Sequence, residues 1–556
     1  MLIKKHRRCR FIRILVIGAV AAGTSAAAKA RRNDDTAEIV IYEKDIDISY
    51  SGCGLPYFIG GEIDNIDELT PRNPDFFKKK YNIDIFTGFE VLKIDPKSQE
   101  LTVKKLTTNE EFKDKYDKLV IATGASPFVP PVKGVENKNV FFLRNVQSAR
   151  NIKKFIDENK PRNAVIAGTG FIGFEMLENL LATGIDVTIV EKMSKITPNL
   201  DEDMAAFLES TLLKKSIKIF KNTGISEIYD NKVVLEDSKE IDCDMVIMAT
   251  GVKPNVELAK EAGIEIGVTG AIKVNTKLQT NIDNIYACGD CIETFSVITE
   301  KPVYRPLGST ANKTGRIAGD VISGGSLEYK GNLSTGIFKL FDLTIATTGL
   351  SEREAIVEGF DIVVCHNIKP DKPEYFHGKE MVIKAIADKN TQKLLGVQII
   401  GYDGVDKRID VFVTLITYGA KVDELFHLDL AYAPPFSTTK DPIHYTGMIL
   451  DNAINKSRKV ITSNEVRQLT KSGEKVQIID TRTSKQYNEA HVDNAVNMPQ
   501  DSLRKELENL DKDVVTITYC NKGVTGNAAQ NILINHGFNK AYNLSGGHKF
   551  YKATKR

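Results

Sequence analysis

The stretch RILVIGAVAAGTSAAAKARR (13–32), followed by AEIVIYEK (37–44), decides the fold. It predicts a buried strand ending at Gly18, a tight turn, a helix, and a second strand ending at Glu43. A parallel βαβ unit of this kind binds a dinucleotide, because the N-terminus of its helix faces the pyrophosphate and the terminal acid takes a ribose hydroxyl. The glycine pattern is degraded to GAVAAG (18–23), so this unit alone is a weak signal.

A second unit, NAVIAGTGFIGFEMLENLLATGIDVTIVEK (163–192), is more complete. It places the full pattern GTGFIG (168–173) directly after a strand and at the start of a helix, and its second strand ends at Glu191. An acid at that position favours NADH over NADPH, although the neighbouring Lys192 keeps NADPH as an alternative. Two such units in one chain predict two Rossmann-like dinucleotide-binding folds.

Two short segments return to the first fold. LVIATGASP (119–127) indicates a strand closing on a glycine turn, and IYACGDCIE (285–293) indicates a strand ending at Asp290, where an acid can meet the ribityl chain or pyrophosphate of a flavin. The pair Cys288 and Cys291 is half a zinc site. The sequence has no second pair with suitable spacing, so no metal is predicted.

The composition is ordinary for a large globular protein. The chain has 556 residues, of which 42% are hydrophobic and 27% charged, and a formal net charge of +2. We therefore expect three or four domains, and neither nucleic acid nor a membrane as partner. Seven cysteines without framework spacing predict a reducing, cytoplasmic location.

The N-terminus imitates a secretory signal, because a basic segment precedes an apolar one rich in small residues. The strand–turn–helix interpretation also explains the glycines and the next strand, which a signal does not. Residues 1–12 are then a basic extension or a start-site artefact.

These elements, in this order, resemble the two-dinucleotide flavoprotein disulfide reductases over residues 13 to about 450. The resemblance implies FAD on the first fold and NADH on the second, with NADPH as the alternative. It also implies that Phe171 covers the flavin and that Glu175 lines the nicotinamide pocket. The cofactor-binding residues that it implies are Gly18, Ala19, Ala22, Gly23, Glu43, Lys44, Ala122, Thr123, Gly124, Asp290, Gly170, Phe171, Ile172, Gly173, Glu175, Glu191 and Gly251.

Cys53 lies in DISYSGCGLPYFIGGEI (47–63), just after the second strand of the first fold and between two glycines. Glycines let the backbone approach a ring closely, and a following helix N-terminus favours a thiolate. A structural cysteine is the alternative, but the position beside the implied flavin favours a redox role. Members with two cysteines carry C-x4-C, whereas the matching position here is Phe58. Cys53 must therefore cycle through a mixed disulfide, a persulfide or a sulfenic acid.

SYSGC (49–53) followed by GLPY resembles the one-cysteine branch of coenzyme A-disulfide reductases and their persulfide- and polysulfide-reducing relatives. That branch frequently has asparagine where Gly52 stands here. NADH oxidases and peroxidases are the alternative; they carry a histidine in the first glycine loop, where this chain has Ala21. A slow sulfur-trafficking or redox-sensing flavoprotein is another. The candidate substrate-binding residues in this part of the chain are Ser49, Asn312 in RPLGSTANKTGR (305–316), and Arg31 and Arg32. The two arginines are candidates for the CoA phosphates, with ordinary exposed surface arginines as the alternative.

LLGVQIIGYDGVDKRID (394–410) and HLDLAYAPPFSTTKDP (427–442) resemble the dimerisation domain of the same family and imply a homodimer. In relatives, tyrosines of this domain reach the opposite active site, which implies catalytic roles for Tyr432 and Tyr375. Core or interface packing is the alternative for both tyrosines.

The C-terminal region predicts a separate α/β unit, in which Cys520 ends a buried strand and the loop CNKGVT (520–525) leads into a helix. Such a loop aims backbone N–H groups at the sulfur and stabilises an anion there. The region resembles a rhodanese domain, which implies that Cys520 carries sulfane sulfur and that Lys522 contacts the anion. A structural appendage is the alternative.

We therefore expect an α/β chain with four domains: an FAD-binding domain (13–118 and 246–325), an NAD(P)H-binding domain (119–245), an α+β dimerisation domain (326–452) and a rhodanese-like domain (462–556). The resemblance implies an FAD-dependent CoA-disulfide, CoA-persulfide or polysulfide reductase. Coenzyme A would be its substrate or bound ligand.

Overall fold

The computed structural model describes residues 11–555. The predicted extension 1–12 lies outside them except for its last two residues. No helix in the described range is long and apolar enough to cross a bilayer. The chain forms two compact units: one holds the chain up to Gly168, Met176–Val187 and Ile225–Asn332, and the other holds Thr169–Glu175, Thr188–Gly224 and the chain from Leu333 onward.

The helices are α1 (Ala21–Asn33), α2 (Leu55–Gly60), α3 (Pro74–Tyr81), α4 (Val146–Asn159), α5 (Phe171–Ala182), α6 (Glu202–Lys214), α7 (Glu257–Glu261), α8 (Gly308–Ile322), α9 (Glu352–Val357), α10 (Val405–Thr417), α11 (Pro442–Asn455), α12 (Ser463–Ser472), α13 (Ser484–Glu489), α14 (Val524–Asn535) and α15 (Gly547–Ala553).

The strands are β1 (Arg13–Ile17), β2 (Glu38–Glu43), β3 (Asp84–Thr87), β4 (Phe89–Asp95), β5 (Glu100–Lys105), β6 (Glu110–Lys115), β7 (Lys118–Ile121), β8 (Ala125–Pro127), β9 (Val140–Phe141), β10 (Asn163–Ala167), β11 (Asp186–Glu191), β12 (Lys218–Lys221), β13 (Ile225–Ile228), β14 (Lys232–Leu235), β15 (Glu240–Asp242), β16 (Met245–Met248), β17 (Val252–Pro254), β18 (Ile285–Ala287), β19 (Thr294–Phe295), β20 (Pro302–Val303), β21 (Gly336–Leu340), β22 (Leu343–Gly349), β23 (Ile362–Pro370), β24 (Glu380–Asp388), β25 (Leu394–Gly401), β26 (Val460–Ile461), β27 (Val476–Asp480), β28 (Ala495–Asn497), β29 (Val515–Tyr519) and β30 (Ala541–Leu544).

The first fold is a parallel sheet with strand order β18-β7-β1-β2-β3. Its central strand β1 is an uninterrupted apolar run from Ile14 to Ile17, as expected for a parallel strand covered on both faces. Helices α1 and α8 approach closely over the sheet, because Gly315 faces the backbone of Ala22 and Gly319 faces that of Ala26. A three-stranded antiparallel sheet, β4-β5-β6, follows β3.

The second fold is a parallel sheet with strand order β12-β11-β10-β16-β9. Both predicted dinucleotide folds are therefore present, each with a glycine loop between its first strand and its first helix.

Two predicted domain boundaries need correction. β7 pairs with β1, so residues from 119 complete the first sheet rather than open the NAD(P)H-binding domain. β16 pairs with β10, so residues from 246 still belong to the second sheet. In both cases the sheet takes a late strand before the chain leaves it. The short strand β26, which pairs with β30, directly precedes the predicted start of the rhodanese-like domain at 462.

The chain from Leu333 onward contains two further sheets. An antiparallel sheet, β21-β22-β25-β24-β23, packs against α10 and α11, with β23 at its edge. The last sheet is parallel, β26-β30-β29-β27-β28, and its strands alternate with helices α12 to α15. Glycine loops and cysteines thus lie at the ends of parallel strands, where helix N-termini can act on a ligand.

Candidate functional site

A cavity of about 640 Å³ lies at the carboxyl ends of the first sheet. Most of the predicted FAD-binding residues line it: Gly18, Ala22, Glu43, Lys44, Ala122, Thr123, Gly124 and Asp290. Ala19 and Gly23 instead shape the loop beneath it. Ala19 donates its N–H to the Glu43 carboxylate, and a Cβ on Gly23 would lie 1.9 Å from the oxygen of Gly18.

The glycine loop of this cavity fits a dinucleotide such as FAD. Gly18 has φ +103°, and a Cβ there would lie 2.3 Å from the carbonyl oxygen of Ala122, so only glycine leaves the backbone open to a pyrophosphate. Glu43 accepts N–H groups of Ala19 at 2.7 Å and of Asp45 at 3.0 Å. Burial raises the pKa of Glu43, as expected for a carboxyl held inside the fold.

Arg144 is a cavity residue that the sequence did not reveal. Its guanidinium forms an ion pair with Asp290 at 2.9 Å, and both residues line the cavity. Tyr304 donates its hydroxyl to the carbonyl of Asp290 at 2.9 Å. The only local signal was an arginine directly before the capping box that begins at Asn145, and such a signal does not point to a partner far along the chain.

The second glycine loop repeats the arrangement of the first. The Glu191 carboxylate accepts two hydrogen bonds from Thr169, one from its backbone N–H at 3.0 Å and one from its side-chain hydroxyl at 2.5 Å. It also accepts the backbone N–H of Met193 at 2.9 Å. Gly168 has φ +104°, and a Cβ there would lie 2.4 Å from the oxygen of Ala249. Glu191 therefore lies at the second glycine loop, the position that its spacing from Gly168 predicts.

The remaining predicted nucleotide residues surround the start of α5. Gly170 directly precedes the helix, and Phe171, Ile172, Gly173 and Glu175 lie in its first two turns; Gly251 follows β16 with φ +95°. The ring of Phe171 packs edge-on against Phe338 at 5.4 Å. A Cβ on Gly336 would lie 2.5 Å from that ring, so this glycine leaves room for it.

Cys53 lies in a short 3-10 turn, Gly52–Gly54, which leads directly into α2, and it is exposed. The turn is held by Ser51, which donates its N–H to the carbonyl of Leu69 at 2.8 Å. A Cβ on Gly54 would lie 2.4 Å from the side chain of Leu69. Ser49 has φ +49°, a costly conformation for a residue other than glycine. The chain thus holds Cys53 in one defined turn.

A second cavity in the same unit, of about 340 Å³, is strongly basic. Arg32, Arg72, Arg316, Asn312 and the aromatic Phe76 are among its lining residues, and no acid lines it. The sequence predicted Arg32 and Asn312 but missed Arg72 and Arg316, because nothing local shows that α3 and α8 bring them together.

Arg31 does not belong to this cavity, which corrects its predicted role as a phosphate ligand. It is buried, and its guanidinium donates to the carbonyls of Asp34, Asp35, Tyr81 and Asn82. The Arg31 guanidinium therefore holds the segments 34–35 and 81–82 together and is not available to bind a substrate phosphate.

Cys520 ends β29 and is buried, with its sulfur accepting the N–H of Gly523 at 3.2 Å. Gly523 has φ +96° and immediately precedes α14. The loop therefore places the Gly523 N–H and the N-terminus of α14 at the sulfur, an arrangement that favours a thiolate or persulfide anion. Lys522 forms an ion pair with Glu380 of β24, a partner that the sequence did not predict.

A charged network lies behind Cys520. Arg482 binds Asp480 at 2.6 Å, Tyr519 donates its hydroxyl to Asp480 at 2.7 Å, and a ring nitrogen of His548 lies 3.1 Å from Arg482. Burial, followed by the charge of Arg482, lowers the pKa of His548 to about 4. His548 is therefore neutral at physiological pH and donates its backbone N–H to the carbonyl of Cys520 at 2.8 Å.

Other predicted residues are placed as follows. Tyr375 and Tyr432 are 70% and 48% exposed, so both are available to a partner surface.

Cys288 and Cys291 are fully buried, and burial raises the pKa of both, that of Cys291 to about 11. They are thus neutral thiols. In the described range, no cluster of three or more histidine, cysteine or acidic residues is placed to hold a metal.

Comparison with known proteins shows the same domain order. A family model of the pyridine nucleotide-disulphide oxidoreductases matches residues 12–311, a model of their dimerisation domain matches 335–442, and a rhodanese-like domain model matches 462–554.

The chain is 38% identical over 437 residues to a protein of Methanocaldococcus jannaschii named NADH oxidase, covering 78% of this chain and 97% of that one. It is 36% identical over 442 residues to the NAD(P)H coenzyme A polysulfide/persulfide reductase of Pyrococcus horikoshii, covering 79% and 98%. The crystal structure of reduced CoADR-RHD from Bacillus anthracis superimposes with a TM-score of 0.95 at 38% identity, covering 98% of both chains.

Proposed function

The chain belongs to the pyridine nucleotide-disulphide oxidoreductase family, which uses FAD and NAD(P)H, and from this premise we propose its substrate. We propose that it is an NADH-dependent reductase of coenzyme A-disulfide, coenzyme A-persulfide or polysulfide, fused to a sulfur-carrying rhodanese domain. NADPH is the alternative reductant. The observation that supports this choice of substrate is the basic cavity, whose Arg72 follows Leu69, the residue that contacts the Cys53 turn, by three positions in the chain.

This cavity has the chemistry of a coenzyme A site. Arg32, Arg72 and Arg316 offer planar donors for phosphates, and Phe76 offers an aromatic face. Leu69, which contacts the Cys53 turn, lies three residues before Arg72 in the chain. A ligand bound by its phosphates among the arginines therefore has its thiol end available to the Cys53 segment.

Cys53 supplies the reacting sulfur. Its thiolate attacks one sulfur of a CoA disulfide, forming a Cys53–CoA mixed disulfide and releasing one CoA thiolate. FAD bound at the first glycine loop would supply the two electrons, taken from NAD(P)H, with which this mixed disulfide is cleaved, the second CoA thiol is released and Cys53 returns to the thiolate. With a persulfide substrate the same exchange releases hydrogen sulfide.

The other site residues take supporting roles in this proposal. Glu43 and Asp290 hold the first nucleotide, and Glu191 holds the ribose of the second. A homodimer would bring Tyr432 and Tyr375 to the opposite Cys53 site, where a phenol can protonate a leaving thiolate. We place this enzyme in the cytoplasm, because its cysteines need a reducing compartment.

An NADH oxidase acting through a Cys53 sulfenic acid is the second candidate, favoured by the name of the Methanocaldococcus relative. Ala21 lines the first cavity and offers no acid or base for peroxide protons. Two results together would exclude this candidate: hydrogen sulfide or free CoA is formed in a fixed ratio to the NADH consumed, and NADH consumption in air without a sulfur substrate is negligible.

A turnover below about 0.01 per second with every sulfur substrate would instead indicate a trafficking or sensing protein.

The basic cavity gives a sharper test of the CoA proposal. Arg72→Gln and Arg316→Gln should each raise KM for CoA disulfide about tenfold, because each removes a charge-assisted phosphate contact. Inorganic polysulfide carries no such phosphates and is the matched control substrate, with an unchanged KM. Equal effects on both substrates would show that the arginines act on the fold, and no effect on either would remove the cavity from the CoA site.

A further inference from the structure

The Cys520 loop lies against the dimerisation sheet. Glu380 of β24 forms ion pairs with both Lys522 and Lys549. The ring of His366 on β23 stacks on Phe550 with centroids 4.3 Å apart. The edge strand of one domain and the active loop of the next therefore form one continuous surface.

Lys369 is a half-buried cation on this edge strand. It lies next to Pro370, which pairs with Glu380 across the sheet, and its ammonium lies 3.9 Å from the ring centroid of Tyr445. Within the described range, its ammonium has no hydrogen bond or ion pair to a carboxylate. A partly desolvated ammonium without an anion is costly, so the site is suited to receive one.

The electrostatic environment of Lys369 points to Cys520. Burial lowers the pKa of Lys369, and the charges of Lys522 and Lys440 lower it further, whereas the sulfur of Cys520 acts in the opposite direction. Lys440 also lies over the Tyr445 ring, at 5.6 Å. Lys369 therefore lies within electrostatic range of the Cys520 sulfur and of the two lysines Lys522 and Lys440.

Two other lysines beside the Cys520 loop already have a carboxylate partner, because Lys522 and Lys549 share Glu380. Lys369 has no such partner within the described range, and Lys440, just before α11, lies over the same Tyr445 ring.

We propose that Lys369 completes the anion-binding site of Cys520, so that the sulfurtransferase site is built from two domains and takes a sulfur donor with a dianionic end, such as thiosulfate. This inference rests on the proposed role of Cys520. The Cys520 thiolate attacks the outer sulfur of thiosulfate, the sulfur–sulfur bond breaks, and its electron pair leaves with sulfite. Lys369 holds the sulfonate oxygens before this step and the charge of sulfite after it.

Two measurements on the full-length protein test the proposal. The first is the thiosulfate concentration that half-saturates persulfide formation at Cys520. The second is protection of Cys520 by inorganic sulfate against alkylation with iodoacetamide, followed by mass spectrometry of the Cys520 peptide. The second readout requires no sulfur transfer.

Lys369→Gln should raise the half-saturating thiosulfate concentration about tenfold and weaken sulfate protection by a similar factor. Lys369→Arg should recover most of both. Lys389→Gln is the matched control, because Lys389 is an exposed lysine of the same sheet, paired with Asp361 at 3.2 Å, and it should leave both unchanged. NADH-dependent reduction of CoA disulfide should stay at the wild-type rate in all three variants, which shows that they fold.

Wild-type behaviour of Lys369→Gln in both measurements would overturn the proposal. If thiosulfate transfers no sulfur to the wild-type protein, the proposed role of Cys520 fails, while sulfate protection still decides the role of Lys369. If Lys369→Arg is as impaired as Lys369→Gln although reductase activity is intact, a charge-based role for Lys369 is wrong.

Discussion

At the scale of single residues, exposure distinguishes Cys53 from the buried cysteine Cys365. Cys53 is exposed in a glycine-flanked turn, whereas Cys365 is fully buried and burial raises its pKa to about 12. A thiol must be deprotonated to attack a disulfide, so Cys365 cannot replace Cys53.

We therefore expect Cys53→Ser to lower NADH-dependent reduction of CoA disulfide to below about one thousandth of the wild-type rate. Reduction of ferricyanide by NADH should persist, because it needs the cofactors but no thiol. Full disulfide reduction by the variant, measured in the same steady-state assay, would place the reacting sulfur elsewhere.

His548 gives a pH-dependent prediction. Its pKa is about 4 in the folded protein and about 6.5 in an unfolded chain, so between these values the unfolded state binds a proton that the folded state does not. This contribution to stability is fully present above pH 6.5 and is lost as the pH falls towards 4, by about 1–2 kcal/mol at pH 5. His548→Gln should remove this part of the pH dependence in denaturant unfolding; an unchanged loss of stability between pH 6.5 and pH 4 in the variant would contradict the prediction.

Residue-level prediction from sequence succeeded where spacing along one element fixes a position. Glu43 and Glu191 each end the second strand of a βαβ unit, and the structure places each at its glycine loop. It failed where the partner is distant in sequence: Arg31 and Arg32 are adjacent, yet only Arg32 reaches the basic cavity. Which of two arginines turns inward depends on the loops around residues 35 and 82, which no local pattern encodes.

At the scale of elements, the close pair α1 and α8 determines whether the first cavity forms. A Cβ on Gly315 would lie 2.3 Å from the backbone oxygen of Ala22, and rigid backbone on both helices cannot yield. Gly315→Ala should therefore destabilise the protein by about 1–3 kcal/mol and reduce its FAD content.

Gly308→Ala is the matched control in the same helix, because no atom lies within 4 Å of its added Cβ. Thermal unfolding and the flavin-to-protein absorbance ratio measure both effects. Equal stability and equal flavin content in the two variants would show that the helices can separate without cost.

The sequence also predicted elements better than their sheet membership. The apolar runs of β7 and β16 are clear, but the domain boundary at 246 placed most of β16 in the wrong domain, and the boundary at 119 cut β7, whose motif was assigned to the first fold. A short buried strand has the same pattern in either sheet, so only the pairing partner decides.

At the scale of the whole molecule, a buried junction joins three domains within the second unit. His366 of the dimerisation sheet binds Asp203 of α6 at 2.8 Å through one ring nitrogen and lies 3.1 Å from Ser545 of the rhodanese-like domain through the other. Lys384 binds the same Asp203 at 2.9 Å and Asp201 at 3.1 Å. No sequence pattern indicates this junction, because its members are isolated polar residues spread over three domains.

Asp203 is the centre of that junction. Burial alone would raise its pKa, but the charges of Lys384 and His366 and their hydrogen bonds hold it well below its ordinary value. Asp203→Asn leaves Lys384 buried with fewer countercharges, so we expect a loss of about 3–5 kcal/mol at pH 7. Because the folded pKa is depressed, the stabilisation is present above about pH 4 and is lost as the pH falls below that value.

The difference in unfolding free energy between wild type and Asp203→Asn should therefore shrink below about pH 4. Asp361→Asn is the control, since it removes a carboxylate from an exposed pair with Lys389 and should cost less than about 1 kcal/mol. Limited proteolysis at neutral pH should release the rhodanese-like domain faster from Asp203→Asn than from Asp361→Asn. Equal release and equal stability would mean that apolar packing of Phe550 against His366 and Phe207 holds the domain in place without the charged network.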